Sequence, residues 1–199
     1  MKKSKINSLR SLVNTSLVLV LLTSACAQSG NKSKDEANTK VEAKAVVEKP
    51  KMNIQTAVLS GNLEIVKQHI EAGSDINQKD AMSGSTPLMT AVTFNKIEIT
   101  KALIDAKADL TLINNDGGTA LHNAAFFARV EIVQLLMDAK ADKTAKNNFG
   151  ATPRETVMGP FADMKPIYEM LQQQLSPLGL QLDLNELEKT RPVIAMMLQ

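Results

Sequence analysis

A repeat period of 33 residues constrains this chain more than any other feature. Thr86, Thr119 and Thr152 stand 33 residues apart, inside GSTPLMTA, GGTALHNA and GATPRETV. Glu98-Ile99 matches Glu131-Ile132 at the same spacing, and Ala106-Lys107-Ala108-Asp109 matches Ala139-Lys140-Ala141-Asp142. An earlier copy, TAVLSGNLEIVKQHIEAGSDIN from Thr56 to Asn77, lies 34 residues ahead of TAVTFNKIEITKALIDAKADLT, so its loop, Gln78 to Ser85, carries one extra residue. A period of this length makes each copy one supersecondary unit, stable only when stacked on its neighbours.

Within a unit, Thr before Pro starts a helix, because the hydroxyl accepts an orphan amide and Pro suits the first turn. Small residues follow (Ala91, Ala124, Ala125) and allow a short first helix to pack closely. A second helix turns Ile132, Val133, Leu135 and Leu136 to one side and Glu131, Gln134 and Asp138 to the other, an amphipathic spacing. The period and the Thr-Pro-Leu-His-x-Ala pattern resemble the ankyrin repeat over roughly residues 53 to 174. In the third copy Gly117, Thr119, Leu121, His122, Ala124, Ala125, Glu131, Ile132, Val133, Leu135, Leu136, Ala141 and Asp142 fall in register. The expected fold is therefore all-α: a solenoid of about four helix-turn-helix units with projecting loops.

The end copies depart from the pattern. Asn53-Ile54-Gln55 replaces the usual start of the first unit, and His69 stands where later copies have Leu103 and Leu136. The fourth has Arg154-Glu155 for Leu-His and Met158-Gly159-Pro160 where its first helix would end, with a helix expected over Ile167 to Leu175. Both read as caps. The repeat domain is placed at 51–175 and a C-terminal segment at 176–199. In that segment Leu178, Leu180, Leu182 and Leu184 alternate as in a strand, and residues 185–199 form a helix interrupted near Pro192. It either packs over the last repeat or serves as a partner-binding arm.

Residues 1–25 carry Lys2, Lys3, Lys5 and Arg10 and then LVLVLLTSA, the layout of a secretory signal. Cys26, the only cysteine, follows Leu22-Thr23-Ser24-Ala25 and resembles a bacterial lipobox, where the thiol is acylated; Thr23 stands where Leu is usual. Ordinary cleavage around Ala25-Cys26-Ala27 is the other reading. Acylation implies a lipid anchor in the cell envelope, and Ala27 after the cysteine implies the outer membrane, facing the periplasm. Residues 26–50 are polar and mixed in charge, a flexible tether or a helix from Asp35 to Glu48. The full chain carries +2, but the signal holds four of its 23 basic residues and none of its 21 acidic ones, leaving a mature charge of −2. No basic face for nucleic acid is expected.

Catalytic patterns are weak. The ankyrin resemblance makes His122 a loop-bonding residue, and His69 falls on a second helix; Asp75, Asp109 and Asp142 recur once per repeat, as turn residues do. No enzyme, cofactor or metal site is expected. The resemblance instead implies a protein-binding face built from loop tips and first-helix positions. On that pattern Phe94 and Phe127 share one variable site, Phe126 is adjacent, and Phe149 sits at a loop tip with Met82 in the longer loop. Ser83, Thr93, Asn115, Asp116 and Asn148 would supply hydrogen bonds. The rings either face a partner or fold between helices. The chain is expected to be a monomer that binds another protein. Exported bacterial ankyrin proteins include immunity proteins against secreted effectors such as lipases, and others tied to oxidative stress.

Overall fold

The helices that start at Ile54, Leu63, Pro87 and Ala120 each begin where the sequence supplies a side-chain cap. The computed structural model describes residues 48–199, so the signal, Cys26 and most of the tether lie outside the described residues. Three helix pairs come first: α1 (Ile54–Leu59) and α2 (Leu63–Glu71), α3 (Pro87–Thr93) and α4 (Ile97–Asp105), α5 (Ala120–Phe126) and α6 (Val130–Asp138). Asn53 Oδ1 accepts from Thr56 N–H at 2.8 Å, Asn62 Oδ1 from Ile65 N–H at 3.1 Å, and Thr86 Oγ1 from Met89 N–H at 3.3 Å. Thr119 and His122 cap α5 reciprocally. Every one of these bonds satisfies an amide that the helix itself leaves orphaned.

The pairs stack in two layers. α3 lies between α1 and α5, and α4 between α2 and α6. Ala91, Ala124 and Ala125 are fully buried between first helices, while Ile99, Leu103, Ile132, Val133 and Leu136 close the second layer. The second helices end on residues with left-handed backbone: Gly73 (φ 64°), Lys107 (φ 64°) and Lys140 (φ 65°). After α4, Lys107 N–H donates to Ile104 O and Ala108 N–H to Leu103 O, both at 2.9 Å, a Schellman closure.

The fourth unit is assembled differently from expectation. Its first helix shrinks to a 3₁₀ turn, Glu155–Val157, packed on α5. The following α7 (Phe161–Leu175) is not the element stacked on α6; that place belongs to α8 (Leu184–Met197), which also packs on the 3₁₀ turn. Ile194 and Leu198 complete the repeat core. A cap is present, but its second helix comes from the C-terminal segment.

Two local expectations are corrected as well. Among the described residues no strand forms: of the four alternating leucines only Leu180 and Leu182 are buried, while Leu178 is exposed at the end of a 3₁₀ turn and Leu184 begins α8. α8 also runs unbroken through Pro192, as α7 does through Pro166. An interior Pro costs about 3 kcal/mol. Burial of Leu187, Ile194 and Leu198 returns about 1.5–3 kcal/mol per side chain, so packing wins.

Candidate interaction surface

The projecting loops are built on one polar residue each. Asn114 Oδ1 accepts from Asp116 N–H at 3.0 Å and Gly118 N–H at 2.8 Å; Asn147 Oδ1 accepts from Phe149 N–H and Ala151 N–H, both at 3.0 Å. Asp80 does the same in the first loop, accepting from Met82, Ser83 and Ser85 amides at 2.7–2.8 Å and from the Ser83 hydroxyl at 2.6 Å. Burial pushes the Asp80 pKa up, yet the bonds from Ser83, Met82 and Ser85 outweigh it and hold it below its ordinary value.

Successive loops are then bonded to each other. Asn115 N–H donates to Ser83 O and Asn148 N–H to Asp116 O, both at 2.9 Å. Asn115 Nδ2 donates to Met82 O at 2.9 Å, and Asn148 Nδ2 to Asn115 O at 3.0 Å. Asn115 and Asn148 therefore act as rungs between loops. Gly84 and Gly117, at φ 67° and 72°, make room for them: a Cβ on Gly117 would stand 2.4 Å from Asn148 Oδ1. What the ladder leaves at the tips is Met82, 92% exposed, Phe149, 81% exposed, and exposed Ser83 and Asp116. The extra residue of the first loop lies between Asp80 and Gly84, in the stretch that carries Met82.

Phe94, Phe126 and Phe127 are placed otherwise. Phe94 and Phe127 are the C-caps of α3 and α5, and all three rings join a second apolar cluster with Tyr168, Leu180, Leu182 and Leu187. Phe127 is only 8% exposed and meets Phe126 edge-on at 5.0 Å; Phe126 packs on Tyr168 at 4.8 Å. Of the two readings of these three rings, the structure shows packing: α7 and the segment that follows it lie over them. Each large ring withdrawn from water contributes about 1.5–3 kcal/mol, which the chain obtains from its own covering arm.

Polar bonds fix that arm. Tyr168 is fully buried; its hydroxyl donates to Phe126 O at 2.8 Å and accepts from Arg191 Nη1 at 2.9 Å, while Arg191 Nη2 donates to Gly159 O at 3.0 Å. Burial raises the Tyr168 pKa, more than the charge and hydrogen bond of Arg191 lower it. Arg129 Nη2 donates to Thr93 O and to Gln181 O, both at 3.3 Å, joining the end of α3 to the extended segment. Thr93 Oγ1 accepts from Asn123 Nδ2 at 3.2 Å and is half-buried, so it too belongs to the interior of the array. Sequence reasoning missed Tyr168, Arg129 and Arg191. The signal available was that Tyr168 is the only tyrosine and that Arg129 repeats the position of Lys96.

Both histidines are engaged by backbone. His122 Nδ1 lies 3.2 Å from the Thr119 amide, which donates to it, and Nε2 lies 3.0 Å from Ala151 O. That pattern requires a neutral ring protonated on Nε2. Burial lowers its pKa, against the upward pull of the Ala151 carbonyl and Asp142. His69 is buried too, bonded to Ser74 Oγ at 2.9 Å and Met52 O at 2.7 Å. Met52 and its neighbours cover it. Asp75, Asp109 and Asp142 each accept the amide two residues on, at 2.7–2.9 Å, as turn residues should.

Comparison with known proteins agrees with this geometry. The family model for ankyrin repeats matches residues 54–147 in three copies. The chain is similar to protein phosphatase 1 regulatory subunit 27 of Homo sapiens and of Mus musculus, 44% identical over 64 residues in each. That match spans 32% of this chain and 41% of either relative. Among solved structures it resembles the ankyrin repeat domain of Bcl-3, a member of the IkappaB protein family, with a TM-score of 0.51 and 30% identity over 52% of this chain and 45% of that one. Residues 54–147 therefore match three ankyrin repeats and share the ankyrin-repeat fold.

Proposed function

We propose that this array binds another protein along its row of loop tips, with Met82, Ser83, Asp116 and Phe149 meeting the partner. The observation that carries the reading is the exposure of Met82 and Phe149 on loops held by an inter-loop ladder. Exposed apolar side chains on a rigid support give contact area at little entropic cost, and aromatic anchors are frequent hot spots. Met82→Ser with Phe149→Ser should leave the melting temperature unchanged and abolish capture of the partner from cells. Undiminished capture by a folded double variant would contradict the assignment.

The N-terminal sequence supports an envelope location for the partner. Lys2, Lys3, Lys5 and Arg10 before an apolar run, then Cys26, support export and acylation, with the repeats tethered in a bacterial envelope. Among the described residues no helix is long and apolar enough to cross a membrane. Labelled palmitate should enter the wild-type chain and not Cys26→Ser; equal labelling would remove the lipid anchor from the reading. A secreted effector is a partner suited to that site, and rescue of cells from one by this chain would identify it.

A further inference from the structure

A pocket of about 350 Å³ opens between the 3₁₀ turn of the fourth unit, the start of α7 and the face of α8. Its walls are largely apolar: Val157, Met158, Phe161, Pro192 and Ala195, with Arg191 set among them. Arg191 is only 2% exposed. None of the ion pairs among the described residues involves it. Its guanidinium has five N–H donors. Two are occupied, one by the Tyr168 hydroxyl and one by Gly159 O.

A buried cation without a counter-charge is expensive, and such groups are normally paired. Here the missing partner would arrive through the pocket. A planar guanidinium fork matches a carboxylate, and the surrounding wall matches a hydrocarbon. The exposed carboxyl of Glu188 also lines the pocket and opposes a second negative charge on the ligand. The volume is at the lower end of small-molecule sites, which fits a chain of several carbons. We propose that this pocket binds a small amphiphilic monocarboxylate, its acid group on Arg191 and its apolar body along Phe161 and Pro192. The site is separate from the loop tips and stands whether or not they bind a partner.

Calorimetric titration of the full-length chain with octanoate tests it, with octanol as the uncharged isostere and octyl phosphate as the more highly charged one. Tyr168 is the only tyrosine and the chain has no tryptophan, so tyrosine emission reports directly on the residue bonded to Arg191. Octanoate should bind once and shift that emission, with octanol and octyl phosphate each weaker by about tenfold or more, the scale of one charge-assisted contact. Glu188→Gln should tighten octanoate several-fold at unchanged melting temperature, and Arg191→Gln, if folded, should lose it. Equal affinity for octanol, no heat and no emission change by about 10 mM octanoate, or weaker binding in Glu188→Gln would each overturn the assignment. The last outcome, with a lowered melting temperature, would make Glu188 itself the counter-charge.

Discussion

Lys140 sits at the left-handed position that closes α6, with φ 65°, and is exposed. A side chain there costs about 1–2 kcal/mol relative to glycine, less the smaller entropy that glycine loses on folding. Lys140→Gly should therefore stabilise the fold by about 1 kcal/mol, read as a rise of a few degrees in melting temperature. A clear fall would mean that the lysine makes a contact that matters. His122 gives a second residue-scale test. Its pKa is lowered by burial, so the unfolded chain binds the proton more readily than the folded one. The stability tied to the neutral ring is complete above the ordinary histidine pKa of 6.5 and is lost as pH falls below it. The lowered Asp80, Asp109, Asp142 and Glu155 carboxyls act in a separate window, below the ordinary carboxylate range. Melting temperature should thus decline between pH 7 and pH 5 in the wild type, and decline less steeply in His122→Asn. Identical slopes would remove His122 from the pH response.

At the scale of elements, the molecule depends on the C-terminal arm. Tyr168 connects α7 to the end of α5 and to Arg191 on α8, all in a buried setting. Tyr168→Phe keeps the ring packing but leaves the Phe126 carbonyl and one Arg191 donor unpaired, a cost of about 1–3 kcal/mol. Chemical denaturation should show that loss, and an unaffected midpoint would mean that water replaces the hydroxyl. The repeats were legible in the sequence because their information is local and recurs: Thr86, Thr119, the alanines and the paired second-helix residues specify the same unit each time. The arm was not, for a physical reason. α8 replaces the second helix of the fourth unit through contacts with α6, far away in sequence, and those contacts override the helix-breaking preference of Pro192. The leucine alternation at 180 and 182 correctly marked buried positions, yet periodicity does not say whether an extended segment has a strand beside it.

At the scale of the whole molecule, the same arm decides which surface is left for a partner. A phenylalanine at a variable ankyrin position looks outward when only the repeats are considered; Phe94, Phe126 and Phe127 face Tyr168, Leu180 and Leu182 once the arm is in place. Asn115 and Asn148, read first as adaptable contacts, bond loop to loop. Phe149 and Met82 are the two apolar side chains of that first set that remain in solvent. The measurement that addresses this most directly is photo-cross-linking in intact cells, with the reactive residue placed at position 82, 149, 94 or 167 in turn. Ile167 is exposed on α7, away from the loops, and serves as the control for a surface on the arm. Cross-links to one common partner from 82 and 149, and none from 94 or 167, are the expected result. Capture from 94 or 167 with silence at 82 and 149 would place the binding surface on the arm and the aromatic cluster, and contradict a loop-tip interface.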